Sequence, residues 1–378
     1  MQLHARGEPH GLAESVVGRI TTRLDVADRR EHVFLVRDEH EQPPPGYAGV
    51  LATTRLSGVS MPCIEGVAPL NYLDEGDVVA MYPSGVVQVV HRRASPHNSI
   101  LLTERCNSLC LMCSQPPRAE DDSWRVPIVL RALDLIDPTC RELGFTGGEP
   151  TLLGDSFFAI IDRAKSRLPN TALHILTNGR LFKDALFAAR LGEIGHPDLM
   201  LGIPLYSDID TEHDFVVQAV DAYDETVEGL YNLAEHGVAI ELRVVVHAST
   251  YQRLPRLAEF IARNLPFVSH VALMGLEMFG YVHLNMSTVW IDPIDYQDQL
   301  EDAVSSLALN GIEPVIYNHQ LCGLGRSLWP FAVKSISDWK NVYLPQCDSC
   351  AVRSRCGGFF HSGTKRYSRA IQAITAEI

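Results

Sequence analysis

Read for the period of its apolar positions, the chain divides into three stretches. Residues 1–98 carry short apolar runs, His32–Arg37, Gly49–Thr54, Asp77–Tyr82 and Val86–Arg92, with no helical period. Such runs predict the strands of a small β domain. Tyr82-Pro83-Ser84-Gly85 predicts a hairpin turn between the last two, and Gln42-Pro43-Pro44-Pro45-Gly46 a stiff loop. From residue 99 strand-like and amphipathic segments alternate. Ser99–Thr103, Arg141–Thr146, Ala172–Leu176, Leu199–Leu205, Val238–His247 and Val268–Leu276 read as strands. Phe157, Ile161, Ala164 and Leu168 fall at helical spacing, as do Tyr223, Val227, Leu230 and Ala234, with Gly237 placed to end the second helix. Six βα units at intervals of about 30 residues predict a parallel sheet, closed or partly closed into a barrel. The expected fold is therefore α/β: a partial (β/α)6 TIM-like barrel over 99–315, preceded by the β domain and followed by an extension over 316–378. Ligand-handling residues are expected at the C-terminal strand ends, where Cys106, Gly147, Asn178 and Ser207 fall.

Composition narrows the classes. With 46% apolar and 21% charged residues the chain has the make-up of a soluble globular protein. A net charge of −14 with no compensating basic stretch argues against a nucleic-acid partner. No apolar run has the length of a membrane span, and Met1–Arg6 lacks a signal-peptide core, so a cytoplasmic protein is expected. There, cysteines serve metals or catalysis rather than disulfides.

Three of the nine cysteines, Cys106, Cys110 and Cys113, form a C-x3-C-x2-C run. A loop that short can aim three thiolates at three irons of a [4Fe–4S] cluster and leave the fourth iron open. Some 35 residues on, Leu143-Gly144-Phe145-Thr146-Gly147-Gly148-Glu149-Pro150 reads as a strand breaking into a glycine turn whose backbone can approach a ligand closely. The two motifs at this separation resemble the radical S-adenosylmethionine (SAM) superfamily. The resemblance implies that Gly147, Gly148 and Glu149 form the turn that holds the methionyl amine of SAM. It implies that Met112, where the family often has an aromatic residue, packs against adenine, and that Asn178 and Ser207 (with Asp208) are candidates for the ribose or carboxylate.

Near the other end stand Cys322, Cys347, Cys350 and Cys356. Four cysteines can close a tetrahedral zinc site or fully ligate a second Fe–S cluster. The run resembles the auxiliary-cluster ending (SPASM or the shorter twitch form) of radical SAM enzymes that modify peptides, with too few cysteines for two such clusters. That resemblance implies one auxiliary [4Fe–4S] cluster, with structural zinc the alternative. Cys63 and Cys140 remain; buried inert thiols are the plain reading, and radical-quenching hydrogen donors the sharper one. Arg243 and His247 flank the fifth strand and His319 precedes Cys322, all three with ordinary satisfied roles as the plain expectation. Glu104 and Arg105, and the tract Glu120-Asp121-Asp122, are expected to face water.

A narrower resemblance rests on Ser114-Gln115-Pro116-Pro117 after Cys113, on Ser335–Asn341, and on Cys356-Gly357-Gly358-Phe359-Phe360. These are similar to the HxsC-type maturases of the His-Xaa-Ser system. The resemblance implies reductive cleavage of SAM to a 5′-deoxyadenosyl radical and cross-linking or another oxidative modification of a histidine-rich, ribosomally made peptide. It also implies a second radical SAM maturase and an electron donor of flavodoxin or ferredoxin type as partners. A radical SAM enzyme acting on a small molecule such as a nucleoside, and a non-catalytic Fe–S or zinc scaffold, are the alternatives.

Overall fold

A computed structural model describes residues 3–37, 42–56, 58–334 and 341–375. Ser335–Lys340, part of the tail cited above, lie outside the described residues.

The N-terminal strands are β1 (His4–Arg6), β2 (Glu8–His10), β3 (Val16–Thr21), β4 (His32–Val36), β5 (Gly49–Ala52), β6 (Cys63–Glu65), β7 (Val78–Met81) and β8 (Val86–His91). They form one sheet in the order β1-β8-β7-β3-β4-β5-β6-β2. β1 and β2 occupy opposite edges although only Gly7 separates them, so the sheet must curl until its edges meet. Gly7 fits because it has no side chain: a Cβ there would lie 2.2 Å from Glu65 O. Its N–H donates to Gly85 O at 2.9 Å. The expected hairpin is present, with Gly85 at φ +80° and β7 antiparallel to β8. Four strands, β1, β2, β3 and β6, were not expected from sequence; three of them are too short or too polar to show an alternation. The curled sheet encloses an apolar core that includes Ile20, Val33, Leu51, Ile64 and Met81. Its flank (Val17, Val78, Ala80) joins the core of the second sheet.

That second sheet is α/β and wholly parallel: β9 (Asn98–Thr103), β10 (Glu142–Gly147), β11 (Ala172–Leu176), β12 (Leu199–Pro204), β13 (Ala239–Val245), β14 (His270–Met274) and β15 (Glu313–Tyr317). The strands pair in chain order. Each is added on the same side by a crossover, which gives one turning wall rather than a doubly wound sheet. The six expected strands lie within two residues of their expected ends. The seventh, β15, was missed, because Pro314 argues against a strand; it is tolerated here because β15 is the edge of the sheet. β15 crosses residue 315, where the barrel was expected to stop.

The crossover helix Asp155–Arg167 buries Phe157, Ile161 and Ala164 as its period required. In the helix Ala222–Glu235 the buried stripe is Ala222, Thr226, Gly229, Leu230 and Leu233, rotated about one residue from the expected Tyr223/Val227 stripe. The cause is close packing at Gly229, where a Cβ would lie 2.5 Å from Gly179 O. Gly237 follows the helix at φ +68°, as a C′ glycine should. Among the described residues no helix is long and apolar enough to cross a membrane.

The closure of the first sheet is testable at one atom. Gly7→Ala should lower stability by about 2–3 kcal/mol in urea unfolding and raise amide exchange in both β1 and β2. Unchanged protection in either strand would show that the edges are not stapled through Gly7.

Candidate functional site

Cys106, Cys110 and Cys113 lie on the loop that leaves the C-terminal end of β9. That loop is fastened from two sides. The Leu109 and Leu111 N–H groups donate to Val217 O (3.0 Å) and Val216 O (2.9 Å) at the end of the helix Asp210–Val217. Opposite, Asn178 Nδ2 donates to Asn107 Oδ1 (2.6 Å), and Arg180 Nη1 donates to Asn107 O (2.6 Å) and Ser108 Oγ (3.2 Å). Glu225 holds the Arg180 guanidinium in turn, at 2.6 Å. Beneath the loop Asp122 accepts from Thr103 Oγ1 (2.7 Å), Glu104 N (2.6 Å) and Arg125 Nε (3.2 Å). The tract Glu120-Asp121-Asp122 therefore does not all face water: Asp122 is buried where the chain leaves the sheet. Glu104 and Arg105 are half-buried, Glu104 in an ion pair with Arg125.

The glycine turn works by backbone contact. A Cβ on Gly147 would lie 2.4 Å from Thr103 O, and one on Gly148 2.2 Å from Arg105 O. The missing side chains thus face the neighbouring strand end, not a ligand, and let β10 dock on β9 through Gly148 N–H to Thr103 O (2.8 Å) and Glu149 N–H to Arg105 O (2.7 Å). The Glu149 side chain is fully buried. Its carboxylate accepts from Thr151 N (3.1 Å), Thr151 Oγ1 (2.6 Å), Thr177 Oγ1 (2.6 Å) and Asn178 N (2.6 Å). Burial raises its pKa, and these donors pull the other way.

The strand ends surround a cavity of about 290 Å³. Cys106, Cys110, Cys113, Met112, Gly147, Gly148 and Asn178 all line it. So do Tyr206, Arg243, Met274, Glu277 and Asn318. Of these, Arg243 was noted in the sequence; Glu277 and Asn318 follow β14 and β15, and Asn318 was invisible because β15 was missed. Tyr206 lies two residues beyond the end of β12, and its position near a strand end was the only signal it offered. Ser207 is absent from the lining; it is fully buried and donates to Glu212 Oε2 at 2.8 Å. Asp208 is engaged by Arg253 at 2.9 and 2.6 Å. Cys63 sits in the N-terminal sheet, its thiol pushed up to about 11 by burial and by Glu65. Cys140 lies at the opposite end of β10 and donates to Glu142 O at 3.4 Å. Neither thiol lines the cavity. His247 is buried, bonded to Ser249 Oγ (2.8 Å), and pushed down to about 4 by burial.

The three thiols of the cavity are costly to ionise. Burial, then repulsion from Glu149, pushes Cys106 up to about 11; burial and the charges of Cys113 and Cys106 push Cys110 to about 12. Such a set is stable as thiolates only against strong positive charge, which cationic irons supply. The residues present therefore fit a [4Fe–4S] group. Among the described residues no three His, Cys, Asp or Glu side chains gather to hold a single metal ion; a cluster, by contrast, takes one thiolate per iron.

Cys322, Cys347, Cys350 and Cys356 surround a second, small cavity. Burial and the nearby Cys356 and Cys347 raise the Cys322 thiol. His319 does not line it. Instead its Nδ1 donates to Tyr317 O (2.8 Å), which leaves Nε2 to accept from Tyr296 Oη (2.7 Å). Burial pushes it down to about 4, so it is neutral.

Residues 100–261 match the Radical SAM superfamily model. No curated protein matches the sequence. The chain is similar to a number of solved structures, three of which follow. Streptococcus suis SuiB bound to S-adenosylmethionine is 15% identical, with 63% of this chain and 52% of that one covered and a TM-score of 0.48. Native anSMEcpe with bound AdoMet and Cp18Cys peptide is 18% identical, with 58% and 62% covered and a TM-score of 0.43. Coproporphyrinogen III oxidase (HemN) from Escherichia coli, described as a radical SAM enzyme, is 14% identical, with 58% and 54% covered and a TM-score of 0.43. The chain thus spans about half the length of SuiB.

Two outcomes follow from the geometry. Glu149→Gln turns an NH2 donor toward groups that are already donors, so urea unfolding should show a loss of about 2 kcal/mol and the purified chain should retain less iron. Equal stability and iron content would contradict the clamp. In the metal-free chain, alkylation of Cys106 by iodoacetamide should rise about tenfold per pH unit from neutral pH toward its raised pKa, because the thiolate is the minor form throughout. A rate that levels off near the ordinary thiol value of 9.0 rather than above it, read by mass spectrometry, would show an unshifted thiol.

Proposed function

We propose that the chain is a radical SAM maturase that modifies a ribosomally made peptide, with a His-Xaa-Ser repeat as its substrate. The observation that carries this reading is that three hard-to-ionise thiols, the Gly147-Gly148 turn and an apolar wall share one cavity at the C-terminal ends of parallel strands. The peptide assignment is supported by Ser114-Gln115-Pro116-Pro117 and by the second cysteine set.

Cys106, Cys110 and Cys113 would hold a [4Fe–4S] cluster with one iron left for SAM, and the backbone of Gly147 and Gly148 would take the methionyl amine. When bound, the pair supplies a one-electron cleavage that yields a 5′-deoxyadenosyl radical able to remove hydrogen from carbon. The chain's own part is orientation and exclusion of water. Met112, Tyr206 and Met274 give the cavity apolar surface. Arg243, tied to Glu241 at 3.1 Å, sets a fixed cation in the wall, suited to a carboxylate of the bound molecule. Asn178 and Arg180 hold the cluster loop in register with that wall. Cys322, Cys347, Cys350 and Cys356 would hold the auxiliary cluster; complete cysteine ligation leaves no open position, which suits electron transfer rather than substrate binding. A flavodoxin- or ferredoxin-type donor and a second maturase complete the expected set of partners.

The reconstituted, anaerobically reduced chain should contain about eight irons and convert SAM to 5′-deoxyadenosine, and Cys113→Ala should abolish that conversion. Mass spectrometry of a co-expressed His-Xaa-Ser repeat peptide should show a loss of about 2 Da per modification, two hydrogens removed. An unmodified peptide beside active SAM cleavage would remove the substrate assignment. About four irons with one zinc would remove the auxiliary cluster.

A further inference from the structure

Between the two cysteine-lined cavities lies a cleft of about 70 Å³, walled on one side by the loops after β14 and β15 and on the other by residues 357–368. It shares Gly275, Leu276, Glu277 and Asn318 with the three-cysteine cavity. With the four-cysteine cavity it shares Gln320, Gly358 and Phe359. The cleft therefore shares walls with both. At its junction with the first, Asn318 is held left-handed at φ +60°, with Nδ2 donating to Gly275 O at 3.3 Å. Non-glycine residues hold that conformation at a cost, and such strain gathers where a ligand must be met.

The walls of the cleft itself are rich in aromatic rings, among them Trp290 and Tyr367. The Arg366 guanidinium lies over the Trp290 ring, 4.0 Å from its centroid, while Arg366 is itself exposed to solvent. The ring face of tryptophan attracts a planar cation electrostatically, and here the chain supplies one from a side chain that water can receive at little cost. Glu277 adds a carboxylate on the shared wall.

We propose that this cleft is a recognition subsite for a planar, nitrogen-bearing side chain of the substrate peptide, an imidazole or a guanidinium, stacked on Trp290 where Arg366 now lies and edged by Glu277. The proposal rests on the peptide reading above. It adds that the C-terminal segment selects the side chain beside the reacting residue, in addition to carrying cysteines.

The test uses the reconstituted full chain with SAM and four acetylated, amidated pentapeptides, Gly-Gly-Xaa-Gly-Gly with His, Arg, Lys or Leu at the centre, titrated by ligand-observed NMR. The His or the Arg peptide, or both, should bind about fivefold tighter than the Lys and Leu peptides, and which of the two does so identifies the ring. Arg366→Ala, which removes the resident cation, should strengthen that binding. Trp290→Leu should erase the preference. Tyr367→Ala, at an exposed position on the same wall, should weaken it where Trp290→Leu fails to accumulate. Equal binding of all four peptides, or a preference that survives Trp290→Leu, overturns the subsite and leaves the peptide reading standing. Binding of none also overturns the subsite, whereas the peptide reading falls only if the co-expressed repeat peptide stays unmodified.

Discussion

A single carboxylate with no access to water organises the mouth of this sheet. Glu149 is fully buried and has no cationic partner among the described residues, a placement that would be strongly unfavourable alone. It is offset by four donors from two neighbouring chain segments, Thr151 and Thr177–Asn178. Satisfying a buried carboxyl group this fully leaves the groups around it almost no alternative arrangement. The end of β10 is thereby locked to the end of β11. Asn178, placed by that lock, reaches Asn107 on the cysteine loop. Gly147 and Gly148 bring β10 against β9 closely enough for the same loop to start beside them. The thiols, the glycine turn and the cavity between them are held in register through one buried carboxyl group and two glycines.

The electrostatics of the cavity point the same way. Thiols whose pKa values are raised by burial and by one another stay protonated near neutral pH, and as thiolates they call for a group that brings positive charge. The second set of cysteines is gathered at a separate cavity, and the cleft between the two shares lining residues with both. On the function proposed above, this layout would make the C-terminal residues part of the substrate's surroundings rather than an appendage.

Much of this was legible in the sequence, for identifiable reasons. Parallel strands buried on both faces read as apolar runs, and six of seven were found within two residues. β15 was lost to Pro314, whose missing donor is harmless only at a sheet edge, and edge position is a tertiary fact. With β15 went Asn318. The cysteine spacings were readable because ligand geometry is local along the chain. Glu149 was legible as part of a motif, yet its role as an internal clamp was not, since its four donors come from residues up to 29 positions away. Ser207 shows the converse: it falls at a strand end as expected, and a local bond to Glu212 turns it from the cavity. Asp122 looked solvated because its neighbours are charged; its burial depends on Thr103 and Arg125 folding over it.

The central claim is that the Cys106/Cys110/Cys113 cavity holds a cluster with one iron free for SAM. Electron paramagnetic resonance of the anaerobically reduced chain, recorded with and without SAM, tests this most directly. The account predicts that SAM alters the spectrum of the three-cysteine cluster, and that in a Cys322→Ala/Cys350→Ala variant, which lacks the second set, this altered signal remains. A reduced cluster spectrum that SAM leaves unchanged would contradict it.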